Sequence, residues 1–414
     1  MEAPNPPAVP AHDDLLARRN ALVLAVCQAL AGGNNAVILA TGSIVGAMLA
    51  PDRTLATLPI SVYVLGLWLG TLPMGRLARL FGRRAAFQIG TACGVLTGLI
   101  CFAAVMHASF LLFNIGALFS GLYAAAHVAY RFAAADTASD AFRPKAISWV
   151  LIGGVFAGII GPQLVIFTQD LWQPYLFAVT YLAQAALAAI SAGVLMLVRI
   201  PLPPRKQPEG EGRPILEIAR QPRFVVAVAC GVASYAMMNM VMTSAPLAMV
   251  MCSHTVGEAT LGLQWHVLGM FLPSFFTGSL IARFGVERVI GAGLALLLVS
   301  AAVSMSGISI AHFWAGLVLL GLGWNFSFLG ATTMVTACHR PNERNRVQSF
   351  NDFLVFGAMA IGSFSSGSVL ELYGWATVNA VVFPVVLLAA ALLLWGAVRR
   401  RTPKVVAEVP GGPG

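Results

Sequence analysis

Twelve long apolar stretches are the feature that most constrains this sequence. Each has roughly the 20 residues that an α-helix needs to cross the hydrocarbon core of a membrane. Lipid offers the backbone no hydrogen-bonding partner, so such segments fold as helices, and they are too continuous for the alternating strands of a membrane barrel. The predicted spans, numbered 1 to 12 in chain order, cover residues 20–48, 57–80, 84–107, 109–132, 146–168, 174–198, 223–250, 258–282, 287–308, 312–335, 349–370 and 375–398.

The composition agrees with a surface that mostly faces lipid. The 414 residues are 58% hydrophobic and only 10% charged, whereas a soluble domain is about 25% charged. The first apolar run is about twice as long as the core of a signal peptide, so we interpret it as a retained helix. The six cysteines are scattered without metal-ligand spacing, which favours small apolar fillers and no metal site.

The net charge of +9 could suggest a nucleic-acid partner, but the positions of the charges argue against one. If both termini are cytoplasmic, every one of the 25 lysines and arginines except Arg53 falls in an inner loop or at an inner helix end. Cytoplasmic loops of membrane proteins carry this excess. The pattern therefore predicts a multi-pass protein of the bacterial inner membrane with both termini in the cytoplasm.

A polar stretch beginning at Pro201 divides the chain into two sets of six spans. With this division the sequence predicts an N-terminal tail at 1–17, a six-helix bundle at 18–200, a cytoplasmic linker at 201–222, a second bundle at 223–400 and a C-terminal tail at 401–414. Within the linker, the segment "ILEIAR" predicts a short interfacial helix.

The two sets of spans repeat each other. "YVLGLWLGTLPMGRLARLFGRR" from Tyr63 aligns with "HVLGMFLPSFFTGSLIARFGVE" from His266, and "GALFSGL" from Gly116 aligns with "GLVLLGL" from Gly316. Two matches in the same order, at offsets of 203 and 200 residues, indicate a duplication. Parallel repeats of six helices are one of the transporter architectures, with the substrate site between the halves.

From these features the chain resembles the major facilitator superfamily over about residues 18–400. The family's loop between helices 2 and 3 typically reads G-x-L-A-D-R-x-G-R-R; here it runs from Gly75 to Arg84, with Arg79 at the acidic position. In the family the acid latches this loop near helix 11, where this chain has Asp352. The resemblance thus implies an Arg79–Asp352 latch of swapped polarity; the alternative is that Arg79 faces lipid phosphates. By the repeat, Arg283 is expected to pair with Asp136 or Asp140. The predicted gating residues are Gly75, Arg79, Gly82, Arg83, Arg84, Asp136, Arg283 and Asp352.

Two further resemblances concern function. Gly161-Pro162 is similar to a motif of the superfamily's antiporters, although helix packing and a proline kink explain it as well. The stretches "YRFAAADTASDAFRPKAISWVL" and "RVQSFNDFLVFG" resemble a bacterial branch associated with riboflavin importers.

In this superfamily helices 1, 4, 7 and 10 usually line the cavity, helped by 2, 5, 8 and 11. Polar side chains on those spans are therefore the candidates for substrate contact, since polar groups in a membrane tend to face the interior. Hydrogen bonding between helices is the alternative for each of them. A lining rich in amides and aromatics suits a flat, neutral molecule such as riboflavin, and also many drugs. The predicted substrate residues are Asn34, Asn35, Tyr123, His127, Gln163, Tyr235, Asn239, Gln264, His266, Trp324 and Asn325.

The acidic residues bear on energy coupling. None is predicted at mid-membrane: Asp136, Asp140 and Asp352 are expected at inner helix ends. If protons are coupled, His127 or His266 is the available titrating group, although packing is the commoner role of a lone membrane histidine.

The chain contains no nucleophile motif, P-loop or HExxH, so neither an enzyme nor a cofactor is expected. The sequence predicts an all-α, monomeric transporter that moves a small organic molecule by alternating access. The alternatives are a drug/proton antiporter and, in another class, a non-transporting receptor or scaffold.

Overall fold

The computed structural model describes residues 14–136, 138–139, 142–200, 213–340 and 343–401. This part of the chain is built from helices joined by short turns. The helices are α1 Asp14–Leu49, α2 Leu58–Phe81, α3 Arg83–Met106, α4 Phe110–His127, α5 Tyr130–Ala135, α6 Arg143–Thr168, α7 Ala178–Leu195, α8 Ile215–Ala219, α9 Pro222–Met251, α10 Val256–Phe271, α11 Ser274–Phe284, α12 Val286–Ser306, α13 Ile310–Thr336, α14 Arg344–Ala380 and α15 Val382–Arg401.

The helices agree with the predicted spans. Within the described residues, ten segments are long and apolar enough to cross a membrane, and the bent pair α10–α11 makes eleven. One of them, Arg346–Arg399, has 54 residues. At 1.5 Å per residue it is more than twice as long as a membrane is thick, so it crosses twice, and the count becomes twelve.

Three glycines in one backbone conformation separate consecutive spans. Gly82 ends α2 and precedes α3 with φ 85° and ψ 161°, and Gly285 does the same between α11 and α12 with φ 88° and ψ 150°. Gly374 interrupts α14 with φ 78° and ψ 175°. Only glycine reaches this region without strain, so each one closes a helix abruptly. Gly82 and Gly285 are equivalent in the predicted repeat, which the structure confirms at this turn.

Two predicted spans are broken helices. Span 4 is divided into α4 and α5 around Val128 and Ala129. Span 8 bends by 41° between α10 and α11, where Pro273 lacks the amide hydrogen that would continue the helix. The start of α10 is fixed by a capping box, in which the side chains of Thr255 and Glu258 each bond the other's backbone amide.

The predicted linker helix is present as α8, and the arginine two residues before its start is held by several hydrogen bonds. Arg213 binds Glu343 through both ends of the carboxylate, with Nη2–Oε2 at 2.8 Å and Nε–Oε1 at 2.9 Å. The backbone amides of Arg213 and Arg340 also donate to this carboxylate. We call this group the linker clamp. It fixes the end of the linker to the residue that caps α14.

The two halves, α1 to α7 and α9 to α15, meet along α1–α9, α2–α14 and α6–α10. We call the side with the turns at Gly82 and Gly285 the basic side, because the arginines cluster there, and the side that holds Arg53 the opposite side. Because the two halves face each other along these contacts, a cavity between them has one wall from each half.

Candidate functional site

The seam between the halves is sealed on the opposite side. The hydroxyls of Ser61 on α2 and Ser363 on α14 lie 3.0 Å apart, and Ser366 donates to Thr57 at 3.3 Å. Towards the middle of the seam the rings of Trp68 and Phe353 are 5.2 Å apart. Contacts at hydrogen-bonding distance leave no passage along the α2–α14 seam at this end.

Towards the basic side the same seam opens into a cavity of about 690 Å³. Its walls come from α2 to α6 of the first half and from α14 of the second, so it lies between the halves as the repeat predicts. Its volume falls in the range of about 300–1,000 Å³ that is usual for small-molecule sites. The polar and charged side chains in its lining are Thr71, Arg83, Arg131, Asp136, Gln348 and Asp352.

An ion pair lies at the mouth of the cavity. Arg83, the first residue of α3, binds Asp136 after α5 in a two-pronged arrangement of 2.8 Å and 3.3 Å. The structure pairs Asp136 with Arg83 and not, as expected, with Arg283, whose guanidinium lies instead over the Phe284 ring. Asp140, the other expected partner, lies outside the described residues.

Two opposite charges lie deeper in the cavity. Arg131 belongs to α5 of the first half and Asp352 to α14 of the second, and both line the cavity. Asp352 is not at a helix end as expected, because α14 begins at Arg344, five residues before predicted span 11. It follows the start of the helix by two turns, about 12 Å at 1.5 Å per residue.

An aromatic cluster borders the cavity at the centre of the bundle. The ring of Tyr235 on α9 lies 5.3 Å from Trp324, 4.9 Å from Phe328 and 5.8 Å from Phe356, and Trp324 stacks on Phe328 at 5.1 Å. Phe356 also lines the cavity. The Trp324 indole nitrogen has no hydrogen-bond partner among the described residues. The central aromatic cluster, these four residues, thus reaches the cavity wall through Phe356.

The structure gives two predicted substrate residues a packing role. Asn34 and Gln184 exchange hydrogen bonds that join α1 to α7, with Asn34 Nδ2 at 2.8 Å from the Gln184 carbonyl. Asn325 bonds Met270, Ser274 and Thr277 across the bend between α10 and α11. It supplies hydrogen bonds at the point where the proline interrupts the helix, so its amide is fully engaged.

The remaining candidates of the first half lie away from the cavity lining or are partly engaged. The Tyr123 ring packs where Gly94 leaves room for it, and His127 lies between Tyr123 and Tyr130 at 6.4 Å and 6.2 Å. Asn35 accepts a hydrogen bond from Ser120 at 3.3 Å, while its buried Nδ2 has no partner in the described chain.

In the second half and at the seam the candidates are engaged to different degrees. His266 bonds the Leu317 carbonyl through Nδ1 at 2.8 Å, inside its own half. Asn239 reaches the Met359 carbonyl at a long 3.5 Å. Gln163 donates to Gln264 at 2.8 Å, which bridges α6 and α10 and therefore the two halves.

Of the predicted gating residues, Gly75 and Arg83 line the cavity and Gly82 forms the turn below it, while Arg84 is exposed. The side chain of Arg79 is outside what the structure describes, so its pairing with Asp352 stays a prediction. Sequence reasoning missed Arg131, which it counted only as a topology charge. Its position at i+4 from His127, inside an otherwise apolar helix, is the signal that could have identified it.

Comparison with known proteins agrees with this architecture. The family model for the Major Facilitator Superfamily matches residues 24–264 and 227–413. The chain is 48% identical to the riboflavin transporter RfnT of Brucella anthropi over 95% of this chain and 98% of that protein. It is 26% identical to the uncharacterized MFS-type transporter YdeG of Bacillus subtilis, covering 93% of this chain and 94% of the relative.

Among solved structures, the POT family transporter PepTSo superposes with a TM-score of 0.72 at 13% identity, covering 92% of this chain and 98% of the other. At that identity the likeness concerns the fold alone.

The chain belongs to the major facilitator superfamily. It is a multi-pass membrane protein and a secondary transporter of a small molecule rather than an enzyme.

Proposed function

We propose that this transporter takes up riboflavin, or a similar flat heteroaromatic, across the bacterial inner membrane by alternating access. The observation that carries the proposal is the 48% identity with a riboflavin transporter over nearly the full length of both chains. The cavity supports it, because the central aromatic cluster reaches the cavity wall at Phe356, a ring on which a planar ring system can stack.

The basic side faces the cytoplasm in this proposal, with both termini there, since cytoplasmic loops hold the excess of arginine. The structure then corresponds to a conformer closed to the outside and open to the inside. Substrate leaves through the mouth at Arg83 and Asp136, and the protein works as a monomer, because each chain contains both walls of the cavity.

Growth and uptake test the proposal. Bacteria that cannot make riboflavin are expected to grow on low external riboflavin when they express this protein, and not when they carry the empty vector. Uptake of labelled riboflavin measured with and without a proton uncoupler then asks whether protons drive it. If growth is not rescued and the cells instead gain resistance to dyes that an uncoupler abolishes, the protein is a drug/proton antiporter.

A further inference from the structure

Arg131 and Asp352 face one cavity from different halves of the protein. The Arg131 Nε is buried and has no hydrogen-bond partner in the described part of the chain, and its guanidinium carbon lies 4.8 Å from the centre of the Phe132 ring. The Asp352 carboxylate accepts a hydrogen bond from the neighbouring Asn351 at 3.1 Å. A guanidinium has five N–H donors and a carboxylate about four acceptor sites, so both groups have capacity to spare.

The two groups do not neutralise each other by direct contact. Among the described residues, Arg131 and Asp352 form no ion pair within 4.0 Å. The buried Arg131 Nε lacks a partner there, and a polar group left in that state is costly. A ligand that offers acceptors to Arg131 removes that cost, and one that also offers a donor to Asp352 adds a hydrogen bond to a charged group.

The position of Phe356 sets the shape of such a ligand. Because Phe356 belongs to the central aromatic cluster and lines the same cavity as Arg131 and Asp352, the aromatic surface and the charged pair border one space. A flat molecule stacked on the cluster therefore directs an edge, rather than a face, between Arg131 and Asp352.

We propose that Arg131 and Asp352 bind the imide edge of a flat heteroaromatic, a C=O, N–H, C=O sequence in the ring plane. Arg131 donates to the carbonyls and Asp352 accepts from the N–H. This rests on the proposed function, because the isoalloxazine ring of riboflavin carries such an edge. The pair selects for neutral imides, since a flat ligand without the edge leaves buried charges unpaired.

Binding of riboflavin and N3-methylriboflavin to the purified full-length protein tests the assignment. The methyl group removes the N–H and leaves the ring and both carbonyls. The wild type is expected to bind riboflavin about ten- to a hundredfold more tightly than the methyl derivative, the usual range for a hydrogen bond to a charged group. Asp352→Leu is expected to bind the two ligands equally. Arg131→Gln weakens both ligands to the same extent, because both retain the carbonyls.

Gln348→Leu is the matched control. Gln348 lies one helical turn before Asp352 on α14 and lines the same cavity, so the variant makes the same apolar replacement and is expected to keep the discrimination. If Asp352→Leu does not elute as a folded monodisperse protein, Asp352→Asn replaces it, and a smaller discrimination than the wild type is expected.

The outcomes separate the two proposals. A wild type that binds riboflavin and its methyl derivative equally, or an Asp352 variant that discriminates like the wild type, overturns the imide assignment alone. A wild type that binds neither ligand overturns the proposed substrate and the assignment together.

Discussion

Gly66 and Gly269 occupy the same position in the two halves and serve the same purpose. A Cβ on Gly66 would lie 2.5 Å from the Leu118 carbonyl oxygen, and one on Gly269 would lie 2.9 Å from the Val318 carbonyl oxygen. Each glycine lets α2 cross α4, or α10 cross α13, at backbone contact. The contacted residues are themselves 200 apart in sequence, so the duplication extends to the packing.

This contact predicts a difference in stability between glycines of α2. Gly66→Ala is expected to lower the free energy of unfolding by about 1–3 kcal/mol, because the methyl group meets backbone that must move. Gly75→Ala is the control: nothing lies within 4 Å of the added carbon, and alanine favours a helix over glycine by about 0.5–1 kcal/mol. Thermal unfolding in detergent measures both. Equal melting temperatures would argue against the close crossing.

The seal on the opposite side predicts a cross-link. Ser61→Cys combined with Ser363→Cys brings two thiols to the place where the hydroxyl oxygens lie 3.0 Å apart. This is about 1 Å more than an S–S bond of roughly 2.05 Å, so a small movement allows the disulfide to form. Oxidation is expected to stop uptake and reduction to restore it, since the halves must part on this side to admit substrate. Either single cysteine variant should transport normally under oxidation; inhibition of a single variant would show that the pair is not the cause.

The central aromatic cluster predicts a loss of affinity. Phe356→Leu is expected to weaken riboflavin binding about tenfold, because Phe356 lines the cavity and one stacking partner is worth about 0.5–1.5 kcal/mol beyond its area. Phe326→Leu changes a ring outside the cluster, which packs on Phe276 at 6.4 Å, and should bind normally. Quenching of riboflavin fluorescence provides the measurement. Unchanged affinity in Phe356→Leu would place the riboflavin ring elsewhere.

The linker clamp predicts a dependence of stability on pH. The hydrogen bonds from the Arg213 side chain, followed by that from the Arg340 amide, hold the pKa of Glu343 well below its ordinary value of 4.5. A lowered carboxyl pKa stabilises the folded state above about pH 4.5, and this contribution is lost as the pH falls towards the folded-state pKa. Glu343→Gln is therefore expected to melt below the wild type at pH 7, with the difference shrinking below pH 4.5. A constant difference across that range would exclude the carboxylate as its source.

The topology could be predicted from the sequence, and the reason is physical. A span needs a fixed length of apolar residues, and glycines at Gly82 and Gly285 mark turns that other residues resist. Both signals are local, so the spans and the repeat agree with the structure to within a few residues, apart from the earlier starts of α1 at Asp14 and α14 at Arg344 and the breaks in spans 4 and 8.

Whether a polar side chain faces a neighbouring helix or the cavity could not be predicted in the same way. A membrane amide is satisfied equally by a neighbouring helix and by a cavity. Asn34 and Asn325 bond neighbouring helices, while Tyr235 packs against Phe356 of the cavity wall. Arg131 was overlooked because its charge also fits the excess of arginine near one side of the membrane. Only the packing of α5 against the cavity distinguishes the two roles.

The linker clamp also attaches the end of the linker to the second half. Arg213 binds Glu343 and the Cys338 carbonyl, and both belong to the second half. A polypeptide that begins just before Arg213 would therefore contain every residue of the clamp. A polypeptide that ends near Ile200 would contain no clamp residue, so dividing the chain there breaks no clamp contact. We therefore expect the two halves, synthesised as separate polypeptides, still to meet along α2–α14 and α6–α10.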